Sequence, residues 1–148
     1  MAFGESQDPN MAFIGSRDLI MAFVKSRVSD MDLSQKTIPQ LEQLLIDIVL
    51  KAEVCGLAWA NARSQYETQK SKAEKVFSMV CDKYEGSQAH KEKKATFDDS
   101  YSKCVDELND LRAIDLRSKI EYDISLLKVD SIRTILSNRR EMVKREIL

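Results

Sequence analysis

A heptad pattern of apolar side chains runs through the first half of the chain. Beginning at Leu41, steps of four and three residues meet apolar or aromatic side chains as far as Val80, with Gln69 as the polar exception. This spacing places the side chains on one face of a helix and, sustained over several repeats, is typical of a coiled coil. Thr37 before Pro39 provides an N-cap and a proline in the first turn, where proline is tolerated. We therefore expect a helix over about residues 38–85.

A turn and a second helix are expected after this segment. Gly86 supplies the stop signal, because glycine readily takes the left-handed backbone conformation at a helix C-terminus. A second apolar pattern starts at Phe97, shifts its register near Asp115 and resumes at Ile120, and neither glycine nor proline follows Gly86. These features predict a second helix over about residues 92–147 and, with the first, a long antiparallel hairpin.

Two helices of this length cannot hide all of their apolar side chains against each other. One antiparallel partner covers a single stripe of each helix, which leaves apolar side chains beside that stripe in water. The expected fold class is therefore all-α, a long helical hairpin or coiled coil that forms homo-oligomers. The side chains expected at the interface between copies are Leu44, Val49, Trp59, Phe77, Leu126, Val129 and Leu136.

The first thirty residues contain a ten-residue unit written three times. Met-Ala-Phe occurs at residues 1–3, 11–13 and 21–23, and a serine occupies the sixth position of each unit. The unit fits neither helical nor strand periodicity and is too short to stack as a solenoid. We therefore expect a mobile leader over residues 1–30, with a helical arm that docks on a neighbouring copy as the alternative, and a hairpin domain over residues 31–148.

The composition argues against several classes of protein. Of the 148 residues, 43% are hydrophobic and 32% charged, and four glycines and two prolines are too few for a fold of many short strands. No stretch approaches the roughly 20 apolar residues of a membrane-spanning helix, so we expect no membrane contact. Three widely spaced cysteines without a CxxC pair indicate reduced thiols in a cytoplasmic protein.

Signals of catalysis and of metal binding are weak in this sequence. His90 is the single histidine, so neither an HExxH motif nor a Ser, His and Asp set is supported, and glycine is too sparse for a phosphate-binding loop. The cysteines lack the spacing of a zinc site. We expect neither an enzyme nor a bound metal or cofactor.

Charge is balanced over the chain but segregated along it. The net charge is −1, and we expect the lysines of residues 70–94 to neutralise much of the acidic run at 98–115 once the chain folds back. Two basic groups escape this pairing, one at the turn and one at the end of the second helix. One explanation is that the first group lies on a solvated loop and that the second is stabilised by the helix dipole, which favours cations at a C-terminus. The other is that both groups bind phosphates.

The turn combines basic side chains with aromatic ones. Phe97 and Tyr101 follow the lysines closely in the sequence. Single-stranded nucleic acid is bound by basic grooves together with aromatic faces on which bases stack. The predicted nucleic-acid-binding residues are Lys83, Tyr84, Lys91, Lys93, Lys94, Arg139, Arg140, Lys144 and Arg145.

Several segments resemble the UvsY group of phage recombination mediator proteins. They are Tyr66–Lys75, the Lys-Tyr-Glu-Gly at residues 83–86 and the stretch from Lys119 to Arg140, and the likeness extends over about Ile48 to Lys144. The resemblance implies an oligomeric, helical, non-enzymatic accessory protein that binds single-stranded DNA and contacts a recombinase and a single-strand-binding protein. The DNA contacts that it implies are Lys83, Lys91, Lys93, Lys94, Arg139 and Arg140.

Two functions are compatible with these observations. The first is a single-stranded DNA-binding mediator of phage-type homologous recombination that helps to load a recombinase, placed in the host cytoplasm if a phage encodes it. The alternative is a structural or adaptor coiled coil whose apolar flanks bind a partner helix.

Overall fold

The computed structural model of the chain describes Ala22 and residues 33–147. Three helices account for most of this part: α1 over Ile38–Cys81, α2 over Gln88–Thr96 and α3 over Asp99–Ile147. No strand occurs among the described residues, so the expected all-α class is confirmed. The repeat leader predicted over residues 1–30 lies outside the described residues, except for Ala22. None of the described helices is long and apolar enough to cross a membrane.

A reciprocal capping box begins α1. The backbone N–H of Thr37 donates to Gln40 Oε1 at 2.9 Å, and the backbone N–H of Gln40 donates to Thr37 Oγ1 at 3.4 Å. The first N–H groups of a helix have no partner within it, and the box satisfies two donors at this end. The helix therefore starts at Ile38, where the sequence pattern places it.

The connection between α1 and α3 differs from the single turn that the sequence suggests. α1 ends at Cys81, and Gly86 follows with φ +116°, a backbone conformation that favours glycine. The expected second helix is divided into α2 and α3, because Asp98 Oδ1 accepts the backbone N–H of Ser100 at 2.9 Å and caps a new helix. A side-chain cap can start a helix without any glycine or proline before it.

The heptad face expected on α1 is the buried face of that helix. Every position of the four-three pattern from Leu41 to Val80 is buried or half-buried. The polar member, Gln69, is also buried, and its amide donates to Glu107 Oε2 at 2.8 Å. A buried polar side chain is tolerated where it finds such a partner.

α3 keeps a single heptad register, so the shift predicted near Asp115 is wrong. Asp115 and Ser125 occupy buried positions of this register. Ile120, at which the apolar pattern was expected to resume after a shift, is 41% exposed. Phe97, expected at its start, is also exposed. The buried or half-buried positions are Tyr101, Cys104, Leu108, Leu111, Asp115, Ser118, Tyr122, Ser125, Val129, Ile132, Leu136 and Arg139.

The chain divides into two compact units. The central unit is Leu50–Ser125, and the terminal unit combines the residues up to Val49 with those from Leu126 onward. In the terminal unit, Leu41 and Ile132 are the largest fully buried side chains.

Contacts between α1 and α3 order the central unit. Trp59 hydrogen bonds to Asp115, Gln69 to Glu107, and the ring of Phe77 lies 4.9 Å from that of Tyr101. The partners on α3 therefore come in reverse order along α1.

Candidate nucleic-acid interface

The short helix α2 is fixed at its start by a side-chain cap and on one face by apolar packing. Ser87 Oγ accepts the backbone N–H of His90 at 3.4 Å. Near the end of α2, Ala95 is fully buried and packs in a cluster with Val80 and Cys81 at the C-terminal end of α1. This anchor decides which face of α2 points to solvent.

The face of α2 opposite Ala95 is basic. Successive residues of a helix are rotated by about 100°, which places His90, Lys93 and Lys94 away from the buried alanine. All three are exposed, whereas Lys91 lies nearer the anchored side and is half-buried. We call His90, Lys93 and Lys94 the α2 face. Neither lysine of this face forms an ion pair with another described residue.

The region around α2 is not basic overall, so its net charge does not attract polyanions. Residues 82–99 contain four lysines and five carboxylates. Long-range attraction follows net charge, whereas contacts at short range follow the local arrangement of side chains. Any phosphate contact here therefore depends on the α2 face itself. Lys83, which precedes α2, also has no ion-pair partner among the described residues.

Tyr84, predicted to bind nucleic acid, contributes to the protein interior instead. Its half-buried ring packs against the cluster of Val80, Cys81 and Ala95, and its hydroxyl donates to Asp98 Oδ2 at 3.2 Å. Burial, and then the hydrogen bond to Asp98, raise the pKa of Tyr84 above its usual value. The side chain ties the end of α1 to the start of α3, and its ring is half-buried in that contact.

Phe97 is the aromatic side chain that the fold leaves open beside α2. It caps the C-terminus of α2 and is 77% exposed. Tyr101, the other aromatic residue noted near the turn, packs on Phe77 and is half-buried. Exposure of a large ring next to unpaired lysines is the combination that base stacking and phosphate binding require.

The basic group at the end of α3 is only partly available. Arg139 Nη2 donates to the backbone oxygens of Leu33 at 2.8 Å and Ser34 at 2.6 Å, and Arg140 pairs with Glu42. The expectation that these two arginines lack partners within the chain is therefore wrong. Glu42, near the start of α1, supplies the carboxylate that pairs with Arg140.

Lys144 and Arg145, in the last turns of α3, are exposed and have no ion pair among the described residues. Lys144 lines a groove of about 550 Å³ in the terminal unit, together with Arg133, Glu42 and Glu141. The cations of this groove face carboxylates, so it is less suited to phosphate than the α2 face.

A polar cluster that sequence reasoning missed lies in the central unit. Asp115 Oδ1 accepts the indole N–H of Trp59, and Asp115 Oδ2 accepts from Arg63 Nη1, both at 3.1 Å. The hydrogen bond to Asp115 raises the pKa of Arg63 above its usual value. The sequence contains a signal for this cluster, because Asp115 falls on a heptad position of α3. Its charge was instead interpreted as a shift in the register of the apolar pattern.

An aromatic pair adjoins this polar cluster. The rings of Trp59 and Tyr122 stack with centroids 5.8 Å apart. Gly56 permits this approach, since a Cβ there would lie 3.0 Å from the Tyr122 ring. These contacts stabilise the central unit and leave Trp59 half-buried.

The side chains expected at an interface between copies fall into two groups. Val129 and Leu136 are buried within the terminal unit and are not free to meet another copy, which corrects their assignment. Leu44, Val49, Trp59 and Phe77 are half-buried, and Leu126 is exposed. Other exposed apolar side chains of the two long helices include Val54 and Leu57 on α1 and Leu116 and Ile120 on α3.

Among the described residues, no group of three or more His, Cys, Asp or Glu side chains is placed to hold a metal ion. The three cysteines are free thiols, with Cys81 and Cys104 buried and Cys55 half-buried. Comparison of the chain with family models, with curated proteins and with solved structures gives no match.

Proposed function

We propose that this chain is a single-stranded DNA-binding accessory protein, a homo-oligomeric helical hairpin that acts as a mediator in phage-type homologous recombination. The observation that carries this proposal is the α2 face, where Lys93 and Lys94 have no ion-pair partner among the described residues and Phe97 is exposed at the helix end. The resemblance to the UvsY group supplies the biological setting.

Binding at the α2 face follows from simple chemistry. The two lysines contact phosphates at short range, and the ring of Phe97 stacks on a base, which favours single strands because a duplex keeps its bases paired and stacked. One such face is a weak site. In an oligomer several copies act on one strand, and their combined affinity greatly exceeds that of a single face.

The mediator role involves two protein contacts in addition to DNA. A recombinase and a single-strand-binding protein are the partners that the family resemblance implies, and the assembled protein would help the recombinase to load on covered DNA. The chain itself contributes binding and not catalysis in this proposal.

Fluorescence anisotropy with a labelled single-stranded oligonucleotide tests DNA binding. Changing Lys93 and Lys94 to Glu should weaken binding and reduce the slope of log K against log salt by about one for each lysine. The matched control changes Lys70 and Lys75 to Glu, which are exposed lysines of α1 and carry the same change of charge. Phe97→Ala should weaken binding with little change in the salt slope.

Two results would contradict the proposal. One is the absence of binding at low salt by the unaltered chain. The other is an equal loss of affinity in the α2 variant and in the Lys70 and Lys75 control, because that result would reflect overall charge and not a particular face.

An adaptor coiled coil is the second candidate, and one observation favours it. Leu50, Val54 and Leu57 form an open apolar stripe on α1, of the kind that receives an amphipathic helix. In that case Leu57→Asp should abolish binding of the partner protein, and changes at Lys93 and Lys94 should have no effect on it.

A further inference from the structure

His90 is an exposed member of the α2 face whose ring has no partner in the described part of the chain. Its backbone N–H donates to Ser87 Oγ, which fixes the residue in the first turn of α2. Its imidazole forms neither an ion pair nor a hydrogen bond with another described residue. Both ring nitrogens are therefore available to a ligand.

His90, Lys93 and Phe97 follow one line down α2. At about 100° per residue, steps of three and four return to nearly the same side of a helix, and this side lies opposite the buried Ala95. The backbone N–H of Phe97 still bonds to the carbonyl of Lys94, so its ring continues the line at the helix end. Side chains three or four positions apart on a helix are neighbours, with about 5–6 Å between their Cβ atoms. One nucleic-acid strand can therefore contact the imidazole, the ammonium group and the aromatic ring together.

The other charged groups of α2 leave this line open to a phosphate. Lys94 lies four positions after His90 and places a second ammonium group beside it. Glu92 is the carboxylate of this helix, and it lies about 200° around the axis from His90 and accepts from the amide of Gln88 at 2.8 Å. Lys91 is half-buried on the anchored side. A phosphate at His90 is therefore flanked by ammonium groups and not by a carboxylate of the same helix.

The elements on either side of α2 do not pair with His90 either. The connection before α2 lies beside the imidazole at Gly86, where a Cβ would be 3.3 Å from the ring. The charged side chains of these elements are Asp82, Lys83 and Glu85 before α2 and Asp98 and Asp99 after it. None of these carboxylates forms an ion pair with His90. Residues 82–99 contain four lysines and five carboxylates, so a positive charge on His90 makes this segment neutral.

We infer that His90 is a third phosphate contact of the α2 face and that it binds single-stranded DNA in its protonated form, so that binding takes up a proton from solvent and tightens as the pH falls below neutrality. The inference rests on the proposed DNA-binding function and adds its control by pH. The ligand of His90 is the phosphate backbone of the strand whose base stacks on Phe97.

Protonation changes both the charge and the hydrogen bonding of an imidazole. The neutral ring has one donor and one acceptor, whereas the charged ring donates from both nitrogens and so suits the acceptor oxygens of a phosphate. A negative group nearby favours the charged form, and linkage then requires that protonation strengthens the binding of that group. Histidine is the side-chain type that changes its charge between about pH 5 and 8, and His90 is the single histidine of the chain.

Fluorescence anisotropy with a labelled oligothymidylate at pH 6 and pH 8, at constant ionic strength, tests this coupling. Thymine does not change its protonation between these pH values, so the DNA itself contributes no proton. The affinity of the unaltered chain should be about two- to fourfold higher at pH 6, the effect of one exposed ion pair. His90→Gln should bind equally at both pH values through Lys93 and Lys94. His90→Lys carries a permanent charge and should bind at pH 8 as tightly as the unaltered chain does at pH 6.

The variants are chosen to keep α2 folded and to separate position from charge. Glutamine three residues after the N-cap Ser87 forms a capping box, so His90→Gln retains the helix start, and circular dichroism checks the helix content. The matched control, His90→Gln/Ser71→His, moves the histidine to an exposed position of α1. Its DNA affinity should not depend on pH between 6 and 8.

Three results would overturn the inference: equal affinity of the unaltered chain at the two pH values, a pH dependence that persists in His90→Gln, and a pH dependence that returns with Ser71→His. The last result would reflect overall charge and not a contact of the α2 face. In all three cases DNA binding through Lys93 and Lys94 stands. Absence of binding at both pH values would overturn this inference together with the proposed function.

Discussion

Asp115 shows how one polar residue can belong to an apolar face. It is only 5% exposed, and its two oxygens accept from Trp59 and Arg63, which stand four residues apart on α1. Buried polar groups are stable where each finds a partner. The two donors also favour one alignment of the helices, because sliding by a turn would separate the carboxylate from both.

Replacing Asp115 tests this role. Asp115→Ala leaves the half-buried indole N–H of Trp59 without an acceptor and should lower the free energy of unfolding by about 1–3 kcal/mol. Asp115→Asn keeps an oxygen at the same position and should cost less. Urea unfolding followed by circular dichroism measures both. An equal loss in the two variants would show that the hydrogen bond to Trp59 does not matter.

At the scale of elements, the start of α3 depends on the capping side chain of Asp98. The backbone N–H of Ser100, and then the hydroxyl of Tyr84, lower the pKa of the Asp98 carboxyl below its usual value. A lowered pKa in the folded state means that the carboxylate stabilises the fold above the unfolded pKa of about 3.8. This contribution is lost as the pH falls through the lower, folded value.

A comparison of Asp98 with its amide measures this effect. Asp98→Asn retains a capping oxygen but does not titrate in this range. The free energy of unfolding of the unaltered chain should therefore fall relative to that of Asp98→Asn as the pH drops below 3.8. Urea unfolding between pH 2 and 6 provides the comparison. Parallel curves for the two proteins would exclude a special role for the Asp98 charge.

The two faces of α3 should respond differently to truncation. Ile132 is 1% exposed, so Ile132→Ala leaves a cavity and should cost about 2–5 kcal/mol of stability. Ile114, on the same helix, is 48% exposed and lies outside the heptad face. Ile114→Ala is the matched control and should cost less than about 1 kcal/mol. Similar costs at both positions would mean that the heptad face is not the core.

For the whole molecule, stability and association are linked. A partner that binds only the folded state raises the temperature of unfolding, and it does so more at higher concentration. If the chain forms the proposed homo-oligomer, its Tm should therefore rise with protein concentration. Differential scanning calorimetry over a range of concentrations makes the comparison. A Tm independent of concentration in the unaltered chain would argue against self-association.

Much of the helical organisation was readable from spacing alone. Leu41 to Val80 follow the four-three steps, and Thr37 before Pro39 is an N-cap signal for a helix that begins beside it. Such signals are local, because they depend on residues a few positions apart. The break between α2 and α3 at Asp98 was not predicted. An aspartate caps a helix only when the backbone around it leaves the helical conformation, and spacing alone does not reveal that.

The candidate site was predictable in part. Lys93 and Lys94 were identified from charge, and they remain exposed on the α2 face. Arg139 and Arg140 were chosen by the same criterion and Tyr84 for its aromatic ring, yet each is held by groups distant in the sequence or by an apolar cluster. Charge along a chain does not reveal a partner that only folding brings close.

The sequence by itself determined the class of this protein, because periodic apolar residues and capping side chains act within a few turns of one helix. Only the tertiary structure decided which of the two apolar faces of α3 is buried. The deciding contacts are those of Asp115 with Trp59 and Arg63, more than fifty residues earlier. Hydrogen bonds to donors on another helix let the charged Asp115 lie on the buried face, whereas Leu116 and Ile120 are exposed.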